Sequence, residues 1–280
     1  MSNNAVQHLQ PLQSVQADIR LTDAIGRARF LVPPRSDQLE LLDQGIGTAD
    51  DVAVNLREMT RINRWLGGYR ALTQHLYPML RKAAHDQPLS LVDIGAGSGE
   101  TARMLAQWAH RQPIRLKLIP LDLEMRHLTT VSTPPKVTVS ASIHRLQANA
   151  LHLPFAAHSI DFLISSLFLH HLNPQQIMCL LREAYRCARR AVVLNDLVRG
   201  YLPLTAFHLV RPLFARHPIT FHDGLLSIRR AYRPDELLAL AHAAGLHQAR
   251  IAMHFPWRMT LIIEKPNSLE SDVPDGRDDV

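Results

Sequence analysis

Leu91-Val92-Asp93-Ile94-Gly95-Ala96-Gly97-Ser98-Gly99-Glu100 is an apolar run that carries one carboxylate and then three glycines at alternate positions. Glycine reaches backbone conformations closed to other residues and lacks a Cβ, so a ligand can lie directly against the peptide chain. An apolar strand, a glycine turn and a helix continuing through Thr101-Ala102-Arg103-Met104-Leu105-Ala106 give the geometry that opens a Rossmann-like crevice. The spacing discriminates between ligands. A dinucleotide fingerprint, G-x-G-x-x-G, needs glycine at position 100, which here is Glu100. Asp93 also opposes a pyrophosphate, because a carboxylate beside two phosphates repels them unless a metal intervenes. The loop asks for a ligand that presents positive charge.

Two further segments extend this unit. Pro120-Leu121-Asp122-Leu123-Glu124 ends the next apolar run, and a carboxylate at the end of the second strand can accept both hydroxyls of a ribose or cap the following helix. Downstream lie Ala148-Asn149-Ala150-Leu151-His152-Leu153-Pro154-Phe155 and Ile160-Asp161-Phe162-Leu163-Ile164-Ser165-Ser166-Leu167-Phe168-Leu169-His170-His171-Leu172. S-adenosylmethionine is a nucleoside with the required charge, an α-ammonium and a sulfonium on its amino-acid half.

The four motifs in this order resemble class I S-adenosylmethionine-dependent methyltransferases of the ubiquinone and menaquinone biosynthesis type, over roughly Leu89 to Lys265. The resemblance implies that Asp93, Gly95, Ala96, Gly97 and Gly99 hold the methionine moiety and Asp122 the ribose. It places Leu123 against the adenine, Asn149 and Ala150 at its edge, and Ser165 and Ser166 near the methyl group. Asn149 departs from the usual aspartate, yet its amide oxygen still accepts a hydrogen bond. A narrower resemblance, to bacterial methyltransferases associated with type III polyketide synthases, rests on Arg61-Ile62-Asn63-Arg64-Trp65-Leu66-Gly67-Gly68, Asn195-Asp196-Leu197-Val198-Arg199, His222-Asp223-Gly224 and Ser227-Ile228-Arg229-Arg230. It implies a phenolic, pyrone or quinone-like acceptor, methylated on a hydroxyl or a ring carbon. Asn63, Arg64, Arg199 and Asp223 are then candidate acceptor contacts. His170, His171 and His222 are candidate general bases, since a phenol with pKa near ~10 must lose its proton and an imidazole titrates near ~6.5.

Around this core the chain alternates strands and helices from Leu89 onward, with strands expected at Leu89–Ile94, Arg115–Asp122, His144–Ala148, Ile160–Ser165 and Ala191–Asp196. Gln248–His254 and Arg258–Glu264 flank Phe255-Pro256-Trp257 and read as a closing antiparallel pair. The expected fold is α/β: a Rossmann-like seven-stranded, mostly parallel sheet with an antiparallel terminal strand, plus a helical N-terminal cap. The expected divisions are a disordered arm over 1–20, a helical cap over 21–84, and the cofactor-binding domain over 85–266 with an acceptor-side insertion at 199–232. An acidic, disordered tail over 267–280 closes the chain. Leu39, Leu41 and Leu42, then Val54, Leu56, Met59, Ile62 and Leu66, supply the cap's helical period.

Composition bounds the alternatives. The 280 residues carry a formal charge of +6, which keeps an RNA substrate open as a second reading. Only 6% are aromatic, the arginines are spread along the chain, and Ser165-Ser166-Leu167-Phe168 stands where base-modifying enzymes carry N-P-P-Y, so nucleic acid is disfavoured against a small-molecule acceptor. A third reading is a non-catalytic cofactor-binding partner subunit. The 16 histidines show no H-E-x-x-H spacing, so no metal site is expected. Cys179 and Cys187 lie eight residues apart on one expected helix, about 12 Å, too far for a disulfide. No leader and no membrane span is legible, which points to the cytoplasm. The oligomeric state is not readable.

Overall fold

Strands β1 (Leu89–Ile94), β2 (Leu116–Asp122), β5 (Ile160–Ser166) and β6 (Ala188–Leu197) form the parallel centre of the computed structural model, which describes residues 32–84, 87–129 and 140–266. Two short strands, β3 (Ala141–Ile143) and β4 (Leu146–Gln147), both pair with β2, and the antiparallel β7 (Arg250–His254) and β8 (Arg258–Glu264) close the other edge. The order is β3-β2-β1-β5-β6-β8-β7, with β4 beside β2. Chain direction places β2 on one side of β1 and β5 on the other, so a crevice opens at the C-terminal ends of β1 and β5.

The strands read as continuous apolar runs because both sheet faces are covered. Side chains alternate between faces. Val92, Ile94, Leu163, Val192 and Leu194 join one core, with α5 (Pro174–Cys187) and α8 (Pro234–Ala243) over it. Leu89, Leu91, Phe162, Ile164 and Val193 join the opposite core, under α2 (Gly68–Ala83) and α3 (Glu100–Ala109). At about 25 cal/mol per Å² of apolar surface buried, these two cores supply most of the stabilisation. Cys187 is buried and Cys179 half-buried; both are free thiols.

A third, smaller core joins α1 (Ala49–Trp65) to α6 (Tyr201–Phe214) and α7 (Pro218–Arg230) through Ile62, Phe207, Ala215 and Ile228. A Thr48–Asp51 capping box starts α1. Buried Glu58 on α1 accepts hydrogen bonds from the backbone N–H groups of Arg216 and His217, at 3.0 and 3.2 Å, and so satisfies the start of α7. The cap is thereby tied to the insertion by a charge-assisted contact as well as by packing.

Two expectations change. The strand expected at His144–Ala148 is only Leu146–Gln147, and a separate strand at Ala141–Ile143 precedes the exposed His144 and Arg145, giving eight strands rather than seven. Leu39, Leu41 and Leu42 lie in a strap over residues 32–48 that makes only a single turn, at 41–45, and not a helix. The N–H groups of Leu41 and Leu42 donate to the Asp223 carboxylate, at 2.8 and 3.3 Å, in place of helical carbonyls. The 199–232 insertion carries two helices, Tyr201–Phe214 and Pro218–Arg230, and Pro203 sits in the first turn of the former, where no intrahelical N–H is required. The expected arm over 1–20 and tail over 267–280 lie outside the described residues. Among the described residues no helix is long and apolar enough to cross a membrane.

Candidate active site

The loop after β1 adopts the left-handed conformation at each of its glycines, and two of them show why the residue type matters. Gly95 has φ +67°, and a Cβ there would stand 2.5 Å from the Phe168 ring, so the strand end and the chain after β5 approach as only glycine allows. Gly97, at φ +52°, aims its N–H at Asp122 Oδ2, 2.8 Å away. Gly99 starts α3, and the N–H of Ala96 donates to the carbonyl of Leu121. The glycine loop is thus stitched to the end of β2.

Asp93 is the unusual member of this loop. Its side chain is buried, and Oδ2 has no hydrogen-bond partner among the described residues. Burial, reinforced by the nearby Asp122 carboxylate, pushes its acid up to about 8. A buried carboxylate in this position is stabilised by a cation. Tyr69, on the first turn of α2, closes over the loop. Burial, with the carboxylates of Glu100 and Asp93, raises its phenol well above the ordinary tyrosine range. Nothing in the loop motif pointed to Tyr69, because it reaches the site from the cap.

Asp122 is held in place by more than Gly97. Its Oδ1 accepts from the N–H of Glu124 at 3.0 Å and lies 3.3 Å from His127 Nδ1. Beside it Leu123 is 62% exposed, an apolar side chain left open next to a carboxylate. Asn149 is exposed and its Oδ1 accepts from the N–H of Leu151 at 2.9 Å, while Ala150 is buried behind it. The two serines at the end of β5 part company. Ser165 is fully buried and donates to the carbonyl of Ile94 at 2.7 Å, which locks β5 to β1. Ser166 Oγ accepts from Asn63 Nδ2 and Asn195 Nδ2, at 3.1 and 3.0 Å, so α1, β5 and β6 meet at one hydroxyl.

A cavity of about 560 Å³ begins one residue beyond Ser166. Its walls are mostly apolar, with Met59 and Ile62 from α1, Leu167, Phe207 from α6, Ile228 from α7 and Trp257 from the β7–β8 turn. Leu167 has φ +60°, a left-handed conformation that is unfavourable for leucine and is held here by its N–H bond to the carbonyl of Asn195. Three arginines reach this space: Arg64, Arg70 and Arg258. Arg64 and Arg70 are exposed at the rim, whereas Arg258 is buried. Its Nε donates to the carbonyl of Leu66 at 3.2 Å, but buried Nη1 has no partner among the described residues. Burial lowers its guanidinium to about 10, with Asp196 opposing that shift. Sequence reading passed over Arg258 because it begins a strand of otherwise apolar residues; the signal was a lone arginine in Trp257-Arg258-Met259.

The other candidates fall elsewhere. His170 is buried with Nδ1 2.7 Å from Asp196 Oδ1, and its backbone N–H donates to the same carboxylate. His171 Nδ1 lies 2.9 Å from Asp43 Oδ2. Burial alone would lower the His171 imidazole, yet the carboxylates of Glu40 and Asp43 raise it to about 9. His222 does meet Asp223, at 3.0 Å, but its side chain is half exposed. None of these three histidines lines the cavity. Arg199 is spent on the carbonyl of Ala231 and on Glu236 Oε1, at 2.8 and 2.6 Å, and Asp223 on the strap. Asn63 stands at the Ser166 junction.

Residues 92–194 match the profile of a methyltransferase domain family. No protein of curated function matches the sequence. Among solved structures, the plantazolicin methyltransferase, in complex with a triazolic desmethyl-plantazolicin analogue and SAH, superposes with a TM-score of 0.51 at 13% identity, over 78% of this chain and 97% of that one. A protein from Nostoc punctiforme described as a candidate O-methyltransferase gives 0.50 at 15% identity, over 90% and 69%. Magnesium protoporphyrin IX methyltransferase from Synechocystis, with bound SAH, gives 0.46 at 15%, over 91% and 100%. At these identities the first two likenesses establish the fold and no more. The unpartnered Asp93 carboxylate beside a left-handed glycine loop fits the positively charged amino-acid half of S-adenosylmethionine. The chain carries a methyltransferase domain over residues 92–194, and its fold is that of S-adenosylmethionine-dependent methyltransferases.

Proposed function

We propose that the chain methylates a hydroxyl of a small, flat, largely apolar metabolite of phenolic or enolic character, such as a polyketide-derived or quinone-like ring. The observation that carries this reading is Arg258: a buried guanidinium with an unpartnered Nη1 in the wall of an apolar cavity. Apolar walls recognise a ring, and a buried cation selects one that bears a negative oxygen. A cavity of about 560 Å³ with mostly apolar walls suits a drug-sized molecule better than a charged RNA backbone.

When bound, S-adenosylmethionine supplies an electrophilic methyl group on a sulfonium. In this reading Asp93 pairs with the ammonium, the glycine loop admits the methionine backbone, Asp122 takes the ribose hydroxyls, and Leu123, Asn149 and Ala150 flank the adenine. Arg258 favours the ionised acceptor, so its hydroxyl proton passes to water at the cavity mouth and no histidine base is required. Met59, Ile62, Phe207 and Trp257 exclude water from the ring and hold its oxygen in line. The cap over 32–84 and the 199–232 insertion act as the acceptor-side cover.

The test is transfer of labelled methyl from S-adenosylmethionine to three pools: simple phenols and hydroxyquinones, enolic pyrones, and bulk RNA. Label recovered as a methyl ether in either of the first two pools supports the proposal. Label in RNA, or methyl on ring carbon alone, overturns it.

A further inference from the structure

Among the described residues one group of three side chains is arranged as a metal site is, and no step of methyl transfer uses it. Glu40 projects from the strap, and His170 and His171 from the single 3₁₀ turn at Leu169–His171 that follows β5. Nε2 of His170 lies 3.6 Å from Glu40 Oε1, and Nε2 of His171 lies 3.9 Å from Glu40 Oε2. The three ligand atoms are all within 4.8 Å of one another.

The far side of each imidazole is occupied. Asp196 takes Nδ1 of His170 at 2.7 Å and Asp43 takes Nδ1 of His171 at 2.9 Å. A carboxylate on Nδ1 turns each ring so that Nε2 faces Glu40, which is the arrangement that orients metal-binding histidines. Nε2 of His170 is buried and has no hydrogen-bond partner. Its 3.6 Å gap to Glu40 is too long for a hydrogen bond and leaves room for a cation between the two. Ligands about 2.0–2.1 Å from a tetrahedral ion stand roughly 3.4 Å apart, so the three side chains would draw in by up to about 1.4 Å to close on one.

Asp43 and Asp196 flank the two imidazoles, and the guanidiniums of Arg35 and Arg230 are engaged by the carbonyls of His170, His171 and Leu172, so the turn is held in place from both sides. His171 and Asp43 keep the cluster partly open to solvent. We propose that Glu40, His170 and His171 bind a divalent first-row transition metal ion of the Zn²⁺ type, which pins the strap to the turn after β5. Two histidines and a carboxylate form a borderline-soft donor set suited to such an ion rather than to Ca²⁺ or Mg²⁺. Ser227 links the cluster to the acceptor cavity: it lines that cavity and donates to Glu40 Oε1 at 2.7 Å. The ion is therefore a positioning element for the cavity wall, whatever the acceptor is.

The experiment uses the untagged full chain, stripped with a chelator and titrated with Zn²⁺ by calorimetry and with Co²⁺ by visible absorption. One equivalent of each metal should bind, Co²⁺ with the intense d–d bands of a four- or five-coordinate site. Glu40→Gln and His171→Gln should each weaken binding at least tenfold, and the exposed His152→Gln should not. The thermal shift given by S-adenosylmethionine reports that each variant is folded and is independent of the metal readout. Absence of wild-type binding at micromolar Zn²⁺, or Glu40→Gln and His171→Gln variants that bind as the wild type does, overturns the proposal.

Discussion

The proposed donor half and the proposed acceptor half of the site each bury one charge without a full set of partners, and the two charges are opposite. In the donor half it is the Asp93 carboxylate, whose acid burial pushes up to about 8. In the acceptor half it is the Arg258 guanidinium, which burial pulls down to about 10. Both stand at the same edge of the sheet: Asp93 near the end of β1, and Arg258 at the start of β8 opposite Leu197 near the end of β6. Strands β5 and β6 separate them and the register offsets them by four residues, so their backbones lie roughly 20 Å apart at the usual strand spacing and rise. A carboxylate calls for the cationic donor and a guanidinium for an anionic acceptor, and the sheet fixes the distance between the two.

The halves differ in how they are built. The donor half is mostly backbone from contiguous loops; the acceptor half is side chains from α1, α6, α7 and the β7–β8 turn. Five changes separate them, beginning with the largest effect. Asp93→Ala should abolish cofactor binding. Wild-type protein at 100 times the Kd gains about 2.7 kcal/mol, seen as a rise in Tm, and the variant should show no shift. A retained shift would remove Asp93 from the donor half.

Arg258→Gln should leave that shift intact and lower kcat/KM about 100-fold, roughly 2.7 kcal/mol of transition-state stabilisation. Its rate should also climb with pH toward the acceptor's own ionisation near ~10, where the wild type is already level. Arg258→Lys should restore part of the rate. An unchanged pH profile would make Arg258 a structural residue.

Gly95→Ala sets a Cβ 2.5 Å from Phe168 at φ +67°, and should cost about 1–3 kcal/mol in denaturant unfolding. Next comes a proton. With a native acid near 8 and an unfolded one at 3.8, the folded protein without cofactor holds one more proton than the unfolded chain between those values. Its stability should therefore fall as pH rises through that window. An ammonium beside Asp93 lowers the acid again, so cofactor binding at pH ~7 should release a proton. Calorimetry in buffers of different ionisation enthalpy measures it, and Asp93→Asn should release none.

The smallest change belongs to the acceptor half. Gly224→Ala on α7 places a Cβ 2.5 Å from the tip of Phe207, and both residues line the cavity. The ring can shift, so stability should move by less than about 1 kcal/mol. KM for the bulkiest acceptors should rise while cofactor affinity stays constant. A loss of cofactor affinity here would show that the two halves are coupled.

Much of the donor half was legible because its parts are local. The carboxylate and glycines of 93–99 sit on one strand and its turn, and Asp122 ends the adjacent strand, so spacing alone implies their convergence. Ser165 and Ser166 show the limit of that reading. Neighbours in sequence point to opposite sides of a strand, and one locks β1 while the other meets Asn63 and Asn195. The strap was misread as helical because its leucines carry a helical period. Side-chain capture by Asp223, 182 residues away from Leu41, is invisible to a local pattern.

By itself the sequence determined the order of strands and helices, the glycine loop and the charge of the ligand it takes, since these depend on backbone conformation and burial over a few residues. Only the tertiary structure decided that Arg258 stands in an apolar cavity, that His170 and His171 turn away from it toward Glu40, and that Glu58 ties the cap to α7. The reason is physical: a buried charge is defined by what surrounds it, and those surroundings come from segments far apart in the chain.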